Sequence, residues 1–115
     1  MRVESERILD MLEAIERIRR HAARGRAAFE HDELIQTWIV HHLQIIGEAV
    51  ARMSGSLRDA HPAIPWAQVI AMRNVLVHDY FGIDLEEVWQ AVERDLPRLE
   101  QELRAIASRA GRRTP

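Results

Sequence analysis

A short run of polar side chains has the types that acid–base chemistry on a phosphate requires. It comprises Arg73, Asn74, His78, Asp79 and Tyr80 and lies among apolar residues. A neutral imidazole can take the proton of a ribose 2′-hydroxyl, an imidazolium can protonate the leaving oxygen, and a guanidinium can balance the charge of the phosphorane between them. The cluster therefore suits cleavage of an RNA phosphodiester, and this scheme requires no metal.

The spacing of these residues limits how one helix can use them. Asn74 and His78 are four residues apart and share a helical face, whereas Arg73 and His78 are five apart and differ by about 140°. One regular helix cannot easily aim both at one atom, but two such helices meeting at a twofold axis can pool their residues in one cleft. Two simpler interpretations stay open. His78 could stabilise a helix C-terminus, and Arg73 with Asp79 could be a surface ion pair.

The rest of the chain predicts the scaffold for this cluster. Apolar residues recur at helical spacing almost throughout, and no segment alternates as a strand does. The predicted fold class is all-α, an antiparallel four-to-five-helix bundle. Helices are expected at about residues 3–23, 31–53 and 65–78, with a fourth from a cap at Asp84 to about Ile106. We assign residues 1–110 to one domain and 111–115 to a flexible tail.

Three residues inside these helices invite a specific expectation. The apolar stripe of the fourth helix keeps its phase across Pro97, which predicts a kinked helix instead of two separate ones. Gly47 costs its helix about 1 kcal/mol relative to alanine, which is explained by close approach of another helix or is an accident. Glu48 is either a solvated helix residue or a buried partner for an arginine.

Composition excludes several classes of protein. The chain of 115 residues has 16 arginines, 18 acidic residues, six histidines, no lysine, no cysteine and a formal charge of −2. The absence of cysteine excludes disulfides and thiolate metal sites. The slightly negative net charge does not favour a protein that coats nucleic acid through its overall charge. A charged N-terminus without a long apolar run predicts neither a signal peptide nor a membrane span, so we expect a cytoplasmic protein.

The remaining candidates have weaker signals. His41 and His42 are adjacent and point about 100° apart, which favours a surface or interface role over a shared metal. We therefore expect no metal and no cofactor. The tryptophans lie on apolar stripes and are expected in the core or an interface, not as stacking platforms for bases. Two clusters of arginines could contact RNA, but a solvated face is the favoured interpretation for both. The first cluster comprises Arg17, Arg19, Arg20, Arg24 and Arg26, and the second comprises Arg109, Arg112 and Arg113.

The run from Arg73 to Tyr80 resembles the R-x4-H-x-Y motif of the HEPN superfamily, in particular its HepT-like branch of small prokaryotic toxins. The resemblance extends over roughly Ile8 to Leu103. Further blocks resemble that branch in order and spacing: Gly47-Glu48-Ala49, Ile64-Pro65-Trp66, Met72-Arg73-Asn74, Tyr80-Phe81 and Val88-Trp89. The motif alone arises often by chance, but together with these blocks it is fairly specific.

The resemblance implies a helical HEPN fold, a homodimer that joins two motif helices, and metal-independent endoribonuclease activity as the toxin of a type VII-like toxin–antitoxin system. Arg73 and His78 correspond to the catalytic pair, Asn74 to an ancillary residue, and Asp79 to the variable position beside them. Tyr80 resembles the tyrosine that an MntA-like minimal nucleotidyltransferase antitoxin modifies with AMP, although it could instead simply pack on the bundle. A bulky anion there would block RNA and neutralise nearby cations. The alternative is a non-catalytic module that binds such a nucleotidyltransferase.

Overall fold

The computed structural model describes residues 4–78 and 84–112, and within them every regular element is helical. In chain order these are α1 (Glu4–Ala22), α2 (Arg26–His31), α3 (Glu33–Ala51), α4 (Gly55–Ala60), α5 (Trp66–His78), α6 (Leu85–Gln90), a π-helical segment (Ala91–Asp95) and α7 (Leu96–Arg112). The all-α prediction is confirmed. α7 reaches two residues past the boundary expected for the tail, and the division into a domain and a tail stays a prediction.

Helices α1 and α3 form the centre of the bundle. They run antiparallel, since the indole nitrogen of Trp38 donates to the carbonyl of Arg17 at 2.9 Å, whereas the amide of Ser54 donates to Glu4 at 2.7 Å at the other end. Both helices and α7 bury their apolar stripes against one another. The largest fully buried side chains in these three helices are Met11, Ile15, Ile18, Ile39, Ile46, Val50 and Leu103.

The segment between α1 and α3 contains a helix that the sequence did not predict. Gly25 adopts a φ of 98°, which favours glycine, and the short helix α2 follows it. The next helix begins at Glu33 and not at His31, because Asp32 is its N-cap: the carboxylate accepts from the amide of Leu34 at 2.9 Å. The apolar pattern predicted helices only up to about residue 23 and from about residue 31, so it did not predict this short helix.

A second short helix, α4, lies in the connection that was expected to be irregular. Ser54 caps it by accepting from the amide of Leu57 at 3.1 Å. At its other end the indole nitrogen of Trp66 donates to the carbonyls of Arg58 at 3.1 Å and His61 at 3.0 Å. The first residue of α5 therefore fixes the position of α4.

The last helical run continues across Pro97, as predicted. Asp84 caps it, and its carboxylate accepts from the amide of Glu86 at 2.9 Å. Just before the proline the helix widens into the π-helical segment, in which the amide of Leu96 donates to the carbonyl of Ala91 five residues back. A wider turn accommodates a residue that lacks an amide hydrogen and crowds the preceding turn. Buried Leu96 and Leu99 stand on either side of Pro97 and keep the stripe in phase.

One end of α3 departs from its expected burial. The apolar Leu34 exposes 82% of its surface, and Trp38, which was expected in the core or an interface, exposes 36%. Both belong to the first turns of the helix, where the neighbouring elements leave the outer face uncovered. In the part of the chain that the structure describes, none of the helices is both long and apolar enough to cross a lipid bilayer.

Candidate functional site

The candidate site is built where α5 crosses α3, and Gly47 determines how closely these helices approach. A Cβ added to Gly47 would lie 2.6 Å from the Cγ of Arg73 and 3.4 Å from its Cα. A separation of 2.6 Å is far below van der Waals contact, so only glycine allows the backbone of α3 to approach the base of this side chain. Close approach, one of the two explanations left open for Gly47, is the correct one.

The guanidinium of Arg73 is held by Glu48, the residue after this glycine. Its Nε donates to Oε1 of Glu48 at 2.7 Å, and its Nη2 donates to the same oxygen. The Arg73 side chain is 26% exposed and that of Glu48 is 40% exposed. Glu48 is therefore the partner of an arginine, which was one of the two interpretations of this residue. The pair is partly exposed to solvent and not buried as that interpretation expected. A charge-assisted contact of this kind fixes the direction of the guanidinium plane.

Asn74 completes the part of the site whose side chains are described. Its Oδ1 accepts from Nη1 of Arg73 at 2.8 Å, and the residue is exposed. The guanidinium is thus held on one edge by a carboxylate and on another by an amide. Because an arginine has five N–H donors, this arrangement leaves capacity to bind a phosphate from the solvent side.

His78 is the last residue of α5, one turn after Asn74. Its backbone is described but its side chain is not, and Asp79 and Tyr80 lie outside the described residues. The structure therefore brings together Arg73, Asn74 and Glu48, whereas the roles of His78, Asp79 and Tyr80 stay predictions. The sequence offered Glu48 as a possible partner of an arginine and Gly47 as a possible point of close approach, but it did not identify Arg73 as the residue that both of them contact.

Three other histidines, His21, His41 and His42, form an aromatic group with Trp38 in the first half of α3. Trp38 lies between His42, whose ring centroid is 4.4 Å away, and His21 at 5.2 Å. His42 is 3% exposed, and its Nδ1 lies 2.8 Å from the carbonyl of Trp38. Burial lowers the pKa of His42, an effect that this backbone contact partly opposes. No three potential metal ligands converge among the described residues.

The arginine cluster at the end of α1 is largely engaged within the protein. Arg17 pairs with Glu13 at 2.6 Å, Arg20 with Glu16 at 3.7 Å, and Arg26 with Glu30 at 2.8 Å. Arg19 binds Glu100, which lowers the pKa of that carboxyl group despite its burial. These pairs agree with the preferred interpretation of a solvated face. The side chains of the second cluster, Arg109, Arg112 and Arg113, lie outside the described residues.

Several known proteins are similar to this chain in sequence. A protein of Thermococcus cleftensis named "Probable ribonuclease HepT" is 36% identical over 94 residues, covering 79% of this chain and 84% of that one. A provisionally named RNase of Methanocaldococcus jannaschii is 33% identical over 78 residues, which is 68% of this chain and 72% of its own. A provisionally named RNase of Caldanaerobacter subterraneus is 33% identical over 78 residues, with 68% and 70% covered.

No solved structure matches the chain with significance. The family described as "Ribonuclease HepT-like" matches residues 11–106, a range that contains α3, α5 and the site where they cross. The chain therefore belongs to the HepT-like ribonuclease family.

Proposed function

We propose that this chain is a metal-independent endoribonuclease, the toxin of a type VII-like toxin–antitoxin pair, whose active site is completed by a second copy. The observation that carries the proposal is the fixed orientation of the Arg73 guanidinium, which Glu48 of α3 holds. Arg73 lies five residues before the end of α5, in a chain of the HepT-like family. An arginine that is oriented but half-open suits recognition of a phosphodiester.

The proposed reaction uses acid–base chemistry at the ribose 2′-hydroxyl. His78 of one subunit takes the 2′ proton as the oxygen attacks phosphorus, and Arg73 stabilises the charge on the phosphorane. His78 of the partner subunit donates a proton to the 5′ oxygen as the P–O bond breaks. The products are a 2′,3′-cyclic phosphate and a free 5′-hydroxyl. Asn74 orients Arg73, and Asp79 is an ancillary residue beside the pair.

A twofold dimer would resolve the angular separation of Arg73 and His78, which a single α5 cannot aim at one atom. The exposed face of α3 supports such a dimer. Leu34, His41 and Glu48 are seven residues apart in turn and so follow one face of the helix. Leu34 is 82% exposed, and Trp38 lies beside this face. Because this exposed apolar residue lies on the same helical face as Glu48, the face is a surface that a second copy would cover.

Tyr80 is the proposed site of regulation. A nucleotidyltransferase of the MntA-like type would join the tyrosyl oxygen to the α-phosphorus of a nucleoside triphosphate, with release of pyrophosphate and of the phenolic proton. The resulting phosphodiester places a negative charge two residues from His78, where it would compete with RNA for Arg73. Regulation by local charge is reasonable in a chain whose formal charge is only −2.

The alternative is a non-catalytic module that binds a nucleotidyltransferase and presents Tyr80 to it. The exposed face of α3 would serve that role equally well. RNA cleavage by the wild type and its loss in His78→Ala favour the ribonuclease. A stable complex without cleavage of any tested RNA favours the module.

Two experiments test the toxin and its regulation together. Expression of the wild type is expected to arrest growth, and co-expression with the nucleotidyltransferase is expected to relieve the arrest. Mass spectrometry of the co-expressed protein should find AMP on Tyr80 and none on Tyr80→Phe. An unmodified Tyr80 in a neutralised toxin would contradict modification as the mechanism of neutralisation.

A further inference from the structure

A groove of about 910 Å³ runs along the exposed face of α5 and ends at Asn74. Its floor is formed by residues one turn apart, Ala67, Ala71 and Asn74, with Ile70 beside them. The two alanines are exposed and leave the backbone of α5 accessible. The groove therefore opens directly onto the residue that contacts Arg73.

At its far end the groove meets Arg58 of α4. The Nε atom of Arg58 is buried and has no hydrogen-bond partner within the described part of the chain. Buried N–H groups without an acceptor are uncommon in folded proteins and call for an explanation. Trp66 holds this end of the groove in place, because its indole nitrogen donates to the carbonyl of Arg58.

The shape and chemistry of the groove fit one strand of RNA. Apolar side chains on its floor suit ribose and base surfaces. At its end Arg58, which is followed in the same lining by the acidic Asp59, offers a guanidinium to a phosphate. Seven residues of α5 separate Ala67 from Asn74, which is about 10 Å of helix. That length accommodates a short stretch of one strand, with a phosphate at each end.

We propose that this groove binds the RNA strand on one side of the scissile phosphate and that Arg58 binds a neighbouring phosphate of the same strand. The proposal rests on the proposed ribonuclease function, because it assigns the path of that enzyme's substrate. Arg58 is thus a binding residue remote from the reacting atoms, and it is expected to affect substrate affinity more than turnover.

The test compares Arg58→Gln with Arg20→Gln, a control at an exposed arginine on α1. Binding is measured by fluorescence anisotropy with a twelve-nucleotide 2′-O-methyl RNA, which lacks the attacking hydroxyl. Arg58→Gln is expected to weaken binding about tenfold and to reduce the slope of log affinity against log salt by about one, and Arg20→Gln to change neither. In cleavage assays KM should rise with little change in kcat, and Arg58→Lys should restore part of the affinity.

Ala67→Leu provides a second variant, because an exposed helical position tolerates leucine without loss of folding. Filling the groove is expected to weaken binding of the twelve-nucleotide RNA, with a smaller effect as the oligonucleotide is shortened. Wild-type binding by both Arg58→Gln and Ala67→Leu would overturn the proposal. A change in oligomeric state in Ala67→Leu would also overturn it, since the groove would then be a subunit contact.

Binding and cleavage separate this proposal from the one on which it rests. A wild type that binds the 2′-O-methyl RNA through Arg58 but cleaves no RNA contradicts the ribonuclease assignment and retains the groove as a binding site. A wild type that cleaves RNA independently of Arg58 and Ala67 retains the ribonuclease and contradicts the groove.

Discussion

Gly47 of α3 lies against the base of the Arg73 side chain, so closely that a Cβ at position 47 would be 2.6 Å from the Cγ of Arg73. The same helix supplies Glu48, whose Oε1 accepts from Nε of Arg73 at 2.7 Å. Adjacent residues on one helix therefore perform different tasks for one arginine. The glycine provides the room, and the carboxylate provides the direction.

Gly47→Ala is expected to destabilise the protein, even though alanine favours a helix. The helical preference contributes roughly 1 kcal/mol, but the clash with Arg73 costs about 1 to 3 kcal/mol, so the net loss is up to about 2 kcal/mol. Because a displacement of about 1 Å near a reacting group can cost about 100-fold in rate, cleavage should also fall. Thermal unfolding and RNA cleavage measure the two effects.

Gly55→Ala is the matched control, since a Cβ at Gly55 meets no atom within 4 Å. It should retain or slightly raise the melting temperature. Because Gly55 lines the proposed RNA groove, this variant is a control for stability and not for cleavage. If Gly47→Ala kept both its melting temperature and its rate of cleavage, the close approach of α3 to Arg73 would have no functional importance.

Glu48→Gln is expected to reduce activity much more than stability. The pair with Arg73 is 26% and 40% exposed, and half-open ion pairs contribute only about 0 to 1 kcal/mol to folding. Losing the charge, however, frees the guanidinium to rotate away from the phosphate, and kcat should fall about tenfold, or about 1.4 kcal/mol of barrier. Glu13→Gln, which breaks the exposed pair with Arg17, should alter neither quantity. A large fall in melting temperature would indicate a structural role for Glu48.

The sequence predicted the fold class because helical periodicity is a local property, and the stripes of α1, α3 and α7 are strong. It also predicted the continuation across Pro97, since the apolar residues keep their phase on both sides. It did not predict the helices α2 and α4, which are six residues each and too short to show a period. For Arg73 and Asn74 the sequence indicated membership of the site. The partnership with Glu48 depends on how two helices pack, which no local pattern encodes.

Leu34→Arg is expected to weaken the proposed dimer without unfolding the subunit. Leu34 is 82% exposed, so an arginine there costs no buried contact within the chain, yet it places a charge in the surface that a second copy would cover. Analytical ultracentrifugation should find a dimer for the wild type and a shift toward monomer for the variant, with RNA cleavage falling in parallel. Leu9→Arg, at the 59% exposed Leu9 of α1, provides the control. A fully active monomeric variant would contradict a composite site.

Stability is expected to fall with pH below about 6.5, the ordinary pKa of histidine. Burial lowers the pKa of His42 in the folded chain, so protons bind the unfolded state first as the pH falls. The contribution is complete above the unfolded pKa and is lost as the pH falls through the lower folded pKa. Chemical denaturation at pH 7.5 and 5.5 should give a smaller loss for His42→Gln than for the wild type. His31→Gln, at an exposed histidine, should match the wild type.

The most direct test of the central claim is RNA cleavage by the purified wild type and by His78→Ala. General acid–base catalysis contributes about 10² to 10⁴ in rate, so the account predicts that the variant folds, dimerises and cleaves RNA at least about 100-fold more slowly. Products of the wild type should carry a 2′,3′-cyclic phosphate. Equal cleavage by the two proteins would contradict the assignment of His78 and, with it, the composite site that Arg73 and His78 are proposed to form.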